Sequence, residues 1–312
     1  MTRRREFTCR LAAAGASPWI GGLSPRLGAQ PPPSLSPVYA ESVAIVGLSA
    51  DLSREFSLRV ARFPPKGSGS LWAAVVLGED RYAAVLDPVP LGEDAAPARV
   101  GEPACRWTLA GEAPTRFERA RDEHRLRGTA SAAFRAHETL EPPDAAGTIP
   151  ITIEASFESA HEPVLVRPGR WEVMGRTRAT IRTPSGRAEL DLPGKWHEQS
   201  GERPRFAPAF AYLNVQGDRR GLLAVHSERG DYGYLWGEGA IARVRALRID
   251  PPSDRRSFRV VLQDGRAIHG VAEVRRRYAV RVEGQTRPGA TVAVTSDVGP
   301  LVGHLNDWTP RD

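Results

Sequence analysis

The chain has 312 residues, 41% apolar and 26% charged, with a formal net charge of +6, which is enough apolar material for a packed core and unlike a disordered or collagen-like chain. No apolar run approaches the roughly eighteen residues of a membrane-spanning helix, and no basic stripe with interleaved aromatics marks a nucleic-acid face. Most of the positive excess sits at the start, where Arg3, Arg4, Arg5, Arg10 and Arg26 stand against Glu6 alone.

Residues 1–29 read as an export signal. Thr2-Arg-Arg-Arg-Glu-Phe7 resembles the twin-arginine motif, with Arg4 and Arg5 as the pair and Phe7 two places on; a mildly apolar stretch, Leu11 to Leu23, and a cleavage site ending at Ala29 follow. The expected partner is the twin-arginine export machinery, and the expected address is periplasmic or secreted. Cys9 leaves with the signal, so Cys105 remains alone and no internal disulfide can form. Residues 30–38 are Pro-rich and form an extended spacer.

From Tyr39 onward the pattern is β. Phe56 to Phe63 alternates apolar and polar, the period of a half-buried strand. Leu71–Leu77 and Arg81–Leu86 flank a turn at Gly78-Glu-Asp80 and make a hairpin. Short strands follow at 104–109 and 115–118, while Ala130–Glu138 reads equally as strand or helical turn because of its alanines. Ile149 to Phe157 alternates again. His161-Glu-Pro163 through Pro168-Gly169 is the expected boundary between an N-terminal β domain, 39–165, and a C-terminal one, 166–312. The second half offers a hairpin turning at Thr183-Pro-Ser-Gly186, another closed by Gln216-Gly-Asp218, and strands at 232–236, 241–249, 257–262, 267–276, 278–283 and 290–295, with Asp264-Gly265 as a hairpin turn. Turn signals every 8–15 residues without a long amphipathic helix predict an all-β fold of antiparallel barrels or sandwiches.

The stretch Leu192–Val225 concentrates the chemistry-bearing side chains. It sets Trp196, His197 and Glu198 between Pro- and Gly-rich segments, ahead of a strand at Phe210–Val215. His197 can shuttle protons near neutral pH, and a desolvated Glu198 can act as an acid. On a strand the two would face opposite sides; in a loop both could converge. Trp171, Trp196, Phe210, Tyr212 and Trp236 cluster in this half and are expected to line or rim one apolar cavity. No phosphate-cradling loop, Gly-x-Ser-x-Gly elbow or Cys cluster is present, and no metal or cofactor is assigned.

Asp191-Leu-Pro-Gly-Lys-Trp-His-Glu-Gln199 resembles the Gly-x-Gly-x-Arg-Asp-His-Ser-Trp-Gly loop of the lipocalin-like superfamily of carotenoid 1,2-hydratases, tocopherol cyclases and bacterial terpene cyclases. Gly194 and His197 match; Trp196 stands where that family has Asp, and Glu198 where it has Ser. The resemblance implies two consecutive antiparallel lipocalin-like β-barrel or sandwich domains. If chemistry comes with it, the implied reaction is acid-catalysed hydration or cyclisation of an isoprenoid. Three functions stay open: an exported binder of a small apolar molecule, an isoprenoid hydratase or cyclase with Glu198 as acid and His197 as its partner, and a carbohydrate-binding or carbohydrate-active sandwich.

Export is testable without knowing the function. Replacing Arg4 and Arg5 by lysine is expected to leave the full-length chain in the cytoplasm, whereas the unaltered chain is recovered outside it, shortened by its first 29 residues; cell fractionation with mass measurement reads both.

Overall fold

The structure, a computed structural model, describes residues 35–93, 102–141, 147–202, 209–282 and 285–308; the expected export segment, 1–29, lies outside them. Every regular element among the described residues is a strand except one turn of 3-10 helix at Pro64–Lys66. No helix there is long and apolar enough to cross a membrane. The fold is all-β, with an eleven-stranded antiparallel sheet followed by a closed eight-stranded barrel, consistent with two lipocalin-like units in succession.

The first sheet contains β1 (Ala40–Leu48), β2 (Arg54–Phe63), β3 (Ser68–Leu77), β4 (Asp80–Pro90), β5 (Ala104–Leu109), β6 (Thr115–Arg121), β7 (Leu126–Ala136), β8 (Ile149–Ser159), β9 (Val164–Arg167), β10 (Arg170–Thr183) and β11 (Gly186–Gly201). They pair in the order β4-β3-β2-β1-β11-β10-β8-β7-β6-β5, with β9 added on β10. A bridge between Leu91 and Leu109 brings the two ends together, so the sheet is rolled. The barrel runs β12 (Phe210–Gln216), β13 (Arg220–Ser227), β14 (Tyr232–Gly237), β15 (Ala240–Ile249), β16 (Arg255–Leu262), β17 (Ala267–Val282), β18 (Gln285–Ser296) and β19 (Leu301–Trp308), each paired with the next, and β19 closes on β12.

The change from sheet to barrel therefore falls between Gly201 and Phe210. The 161–169 stretch, expected to separate 39–165 from 166–312, lies inside the first sheet, where β9 pairs with β10. The reason is a long-range pairing: β11 lies against β1 from Ala40↔Gly201 to Gly47↔Gly194. It ties the β10–β11 hairpin to the start of the described chain, and no local pattern reveals that.

Burial follows the pairing. β7 and β8 alternate between buried and solvent-facing positions, as strands with one wet side must. All nine residues of β1 are buried, and in β12 only Phe210 is not; strands buried on both sides have a second surface against them. Inside the first sheet Ile45, Phe56, Leu58, Trp107, Phe117 and Trp196 pack together. Leu213, Val215, Phe258, Val260, Val292 and Leu305 fill the barrel. A third cluster lies between the two outer faces: Val164 and Met174 from the sheet meet Tyr212, Leu223, Tyr234 and Trp236 from the barrel. Burying a large apolar side chain contributes roughly 1.5–3 kcal/mol, so this seam is a substantial attachment.

A buried charge cluster reinforces it. Glu55 of β2 accepts from Arg276 Nη1 (2.7 Å) and Thr291 Oγ1 (3.0 Å) through Oε2, and Oε1 lies 2.8 Å from His304 Nε2. Burial alone would raise the Glu55 carboxyl; His304 and Arg276 overcome it and hold it below its ordinary value. Glu55→Ala leaves the Arg276 cation buried without its carboxylate, and breaking such a pair typically costs about 3–5 kcal/mol. Equilibrium urea unfolding is expected to show a loss of that order, with a smaller one for Glu55→Gln, which keeps hydrogen-bonding capacity.

Candidate functional site

The site occupies the space between the two outer faces, and its geometry follows from the register of β1. Ala44 of β1 stands opposite Arg59 of β2 on one side and His197 of β11 on the other; Arg59 in turn faces Trp72 of β3, and His197 faces Glu172 of β10. One row across five strands thus reads Trp72–Arg59–Ala44–His197–Glu172. Neighbouring strands are about 4.8 Å apart, so Ala44 leaves a gap roughly two strand spacings wide between the arginine and the histidine. The adjacent row reads Ala74–Ser57–Val46–Lys195–Met174. Small side chains on β1 to β3 make a floor, and long polar ones on β10 and β11 make a wall.

The barrel supplies the opposite side with Phe210, Tyr212, Tyr278, Arg287, His304 and Trp308. The cavity volume is about 510 Å³, within the range of small-molecule sites. Arg59 lies over the Trp72 ring at 4.8 Å, and Arg287 lies over Trp308 at 4.5 Å and Trp72 at 5.8 Å, giving a mixed guanidinium–indole surface.

Glu172 organises the wall. It is fully buried. Its Oε1 accepts from Arg170 Nη2 (2.6 Å) and Nε (3.0 Å) and from the Tyr212 hydroxyl (3.3 Å), and lies 2.9 Å from His197 Nδ1. Lys195 Nζ stands 3.3 Å from Oε2 and also donates to the Tyr212 hydroxyl. Burial alone would raise the Glu172 carboxyl, but the Lys195 and Arg170 cations and the His197 hydrogen bond hold it well below the usual carboxylate range. An ionised carboxylate beside Nδ1 requires the proton on that nitrogen, which leaves the lone pair on Nε2. Burial pushes His197 down to about 3 against the pull of Glu172, so the ring is neutral. Its Nε2 is buried and has no hydrogen-bond partner among the described residues.

Cations outnumber carboxylates around the cavity: Arg59, Arg167, Arg170, Lys195, Arg229 and Arg287 line it, against Glu55, Asp231 and Asp307, with Glu172 behind the wall already pairing Arg170 and Lys195. The three carboxylates are engaged by neighbours: Glu55 as above, Asp231 by His226 at 2.7 Å and the Leu247 N–H, and Asp307 by Arg256 at 2.6 Å. Burial lowers Arg59 to about 10, leaving it charged at neutral pH.

The residues singled out from the sequence divide among three environments. His197, Phe210 and Tyr212 line the cavity. The segment carrying His197 and Glu198, left open between strand and loop by the sequence, continues β11, so Glu198 turns to the other face. There it accepts from Arg119 Nε (2.7 Å) and Nη2 (3.0 Å) and from Trp196 Nε1 (2.8 Å) inside the first sheet. Trp196 packs edge-on to Phe117 at 5.8 Å, and Trp171 lies beneath Arg119 and Arg121 in the same core. Trp236 belongs to the seam, 5.3 Å from the His161 ring. β11 tolerates Pro193 because its ladder with β1 begins only at Gly194, leaving one side unpaired. Gly194 is required because Thr177 Oγ1 crosses it to donate to the Val46 carbonyl at 3.1 Å; a Cβ there would lie 1.7 Å from that hydroxyl. Arg59, Glu172 and Lys195 were not singled out from the sequence. The available signal was the spacing Lys195-x-His197 and one carboxylate inside the run Trp171-Glu-Val-Met174.

No protein-family model matches the chain, and no curated protein matches it. Solved structures do. CghA with Sch210972 superposes with a TM-score of 0.50 at 15% identity, covering 88% of this chain and 87% of that one. A second structure of CghA gives 0.53 at 14% identity over the same shares of the two chains. Kievitone hydratase from Nectria haematococca gives 0.46 at 9% identity, over 88% and 90%. The likeness to CghA shows a shared fold.

The acid behaviour of the wall can be measured. His197 titrates near 6.5 in an unfolded chain and near 3 when folded. Its contribution to stability is therefore complete above about pH 6.5 and is lost as pH falls toward 3; Glu172, also lowered, adds loss in the same direction below its ordinary value of 4.5. One such proton is worth up to about 2 kcal/mol between pH 6.5 and 5. Urea unfolding at those two pH values is expected to show that loss in the wild type, and a smaller one in His197→Gln.

Proposed function

We propose that the chain binds a small amphipathic organic anion between the first sheet and the barrel, its apolar body against Trp72, Phe210 and Trp308 and its anionic group toward Arg59. The observation that carries this reading is the excess of cations lining a cavity of about 510 Å³ whose carboxylates already have partners. It refines the expectation of an apolar ligand, because a wholly apolar molecule would desolvate Arg59 without offering it a counter-charge.

The same observation weighs between the other readings. Protonating an isoprenoid double bond needs a carboxylic acid in the cavity and a surface that tolerates a carbocation. Glu55 and Glu172 are both held in the ionised form, Glu198 faces the other side of β11, and the lining is cationic, which together support anion binding over acid-catalysed hydration or cyclisation. A carbohydrate platform would present exposed indoles; no tryptophan among the described residues is exposed. CghA, which shares the fold, has been solved with Sch210972, and that agrees with a ligand-holding role. Export by the twin-arginine route remains part of the proposal, resting on Arg4-Arg-Glu-Phe7.

Titration with anilinonaphthalene sulfonate is expected to give saturable binding with quenching of tryptophan emission, weakened by added salt. A neutral anilinonaphthalene should bind more weakly. Arg59→Met, which keeps the aliphatic length and removes the charge, should weaken the anionic probe about tenfold, within the worth of a hydrogen bond to a charged group, and leave the neutral one unchanged. Absence of saturable binding by folded protein would remove this reading.

A further inference from the structure

We propose that His197, oriented by Glu172, is a general base that removes a proton from an enolisable carbonyl compound seated over Ala44, with Arg59 facing the oxyanion that forms. The inference rests on the cavity reading above and adds an activity to it.

Three observations support it. The Glu172–His197 contact, 2.9 Å from Oε1 to Nδ1, fixes the tautomer and points the opposite edge of the ring away from β10. That edge ends in Nε2, buried and without a partner among the described residues, on a residue that lines the cavity. The alternative bases are occupied: Glu172 by Arg170, Tyr212 and Lys195, Glu55 by Arg276 and Thr291, and Lys195 by Glu172 and Tyr212. Glu172 Oε2 accepts no hydrogen bond among the described residues but stands 3.3 Å from the Lys195 cation, so Nε2 is the neutral lone pair of this wall that is left without a partner, and one residue of minimal size, Ala44, separates it from the Arg59 guanidinium across the row.

The step balances without a further reactant. Nε2 takes the proton on the carbon next to the carbonyl. The C–H electron pair becomes the C=C bond of an enolate, and the carbonyl π pair moves to oxygen, opposite Arg59. Return of the proton from Nε2–H on the same face, at the conjugated position, gives a double-bond isomer. Glu172, ionised throughout, is the counter-charge of the transient imidazolium and offsets part of the cost that burial imposes on it.

Nitrobenzisoxazole is a suitable probe, because its ring opening needs only a base in an apolar cavity. The C–H proton goes to the base, its electron pair forms the third C–N bond as N–O breaks, and a coloured cyanonitrophenolate is released. Wild-type protein is expected to turn over the probe saturably, with competitive inhibition by anilinonaphthalene sulfonate. His197→Gln should lower kcat by at least about 100-fold while still binding the sulfonate. Glu172→Gln should lower kcat more than it changes KM, and Ala44→Leu should abolish turnover by filling the gap. Imidazole nitrogen chemical shifts of the wild type give a second reading that needs no variant: Nδ1 protonated and Nε2 bare at neutral pH. Wild-type kcat in a His197→Gln protein that binds the sulfonate, or a protonated Nε2, would overturn the proposal. Sulfonate binding without turnover by the wild type overturns the base and leaves the binding reading standing. Absence of sulfonate binding by folded wild type overturns both.

Discussion

A carboxylate cut off from water, Glu172, determines how the wall of the cavity is built. Ionised and fully buried, it must be compensated on the spot, because an unpaired buried charge is far too costly to persist. Arg170, Lys195, His197 and Tyr212 converge on it from β10, β11 and β12. Each partner is thereby held in one orientation, and together they present a rigid polar surface. Tyr212 comes from the barrel, so the same carboxylate also links the two β-units. The Tyr234 hydroxyl adds a hydrogen bond to the Glu172 carbonyl at 3.2 Å.

The space beside this wall exists because of the sizes of a few residues. Both β-units have packed, mainly apolar interiors, that of the first sheet also holding the Arg119–Glu198 pair, and neither uses its inside as the cavity described here. The outer faces meet tightly where Met174, Leu223, Tyr234 and Trp236 interlock. They stand apart where β1, β2 and β3 present Ala44, Ser57 and Ala74. Tight seam and open cavity are two parts of one apposition. Glu55, reaching from β2 to Arg276, Thr291 and His304, pins the far side.

Much of the chain could be read locally. The hairpin turns at Gly78-Glu-Asp80, Thr183-Pro-Ser-Gly186, Gln216-Gly-Asp218 and Asp264-Gly265 all connect paired strands in the structure. The ambiguity over Ala130–Glu138 resolves as strand as far as Ala136, with Ala130, Ala132, Phe134 and Ala136 facing the core that holds Trp107 and Phe117. Strands 267–276 and 278–283 are one long strand, β17, whose bulge at Val274/Arg276 absorbs the irregular pattern. The segment around His197 and Glu198 stayed open between strand and loop because Pro193 and Gly194 are normally breakers; they are accommodated by a one-sided ladder and by Thr177 crossing above.

By itself the sequence determined the all-β class, the turn positions, and the alternation that puts His197 and Glu198 on opposite faces if their segment is a strand, because those properties depend on neighbours two to four residues apart. It did not determine which face would be inside. That choice came from the pairing of β11 with β1 and from the barrel covering the outer side, contacts spanning from about 150 residues along the chain upward. For the same reason Trp171 and Trp196 became core, and Glu198 became the partner of Arg119. Arg59, Glu172 and Lys195, unremarkable charges along their own strands, became a site only when four strands and a barrel placed them around one alanine.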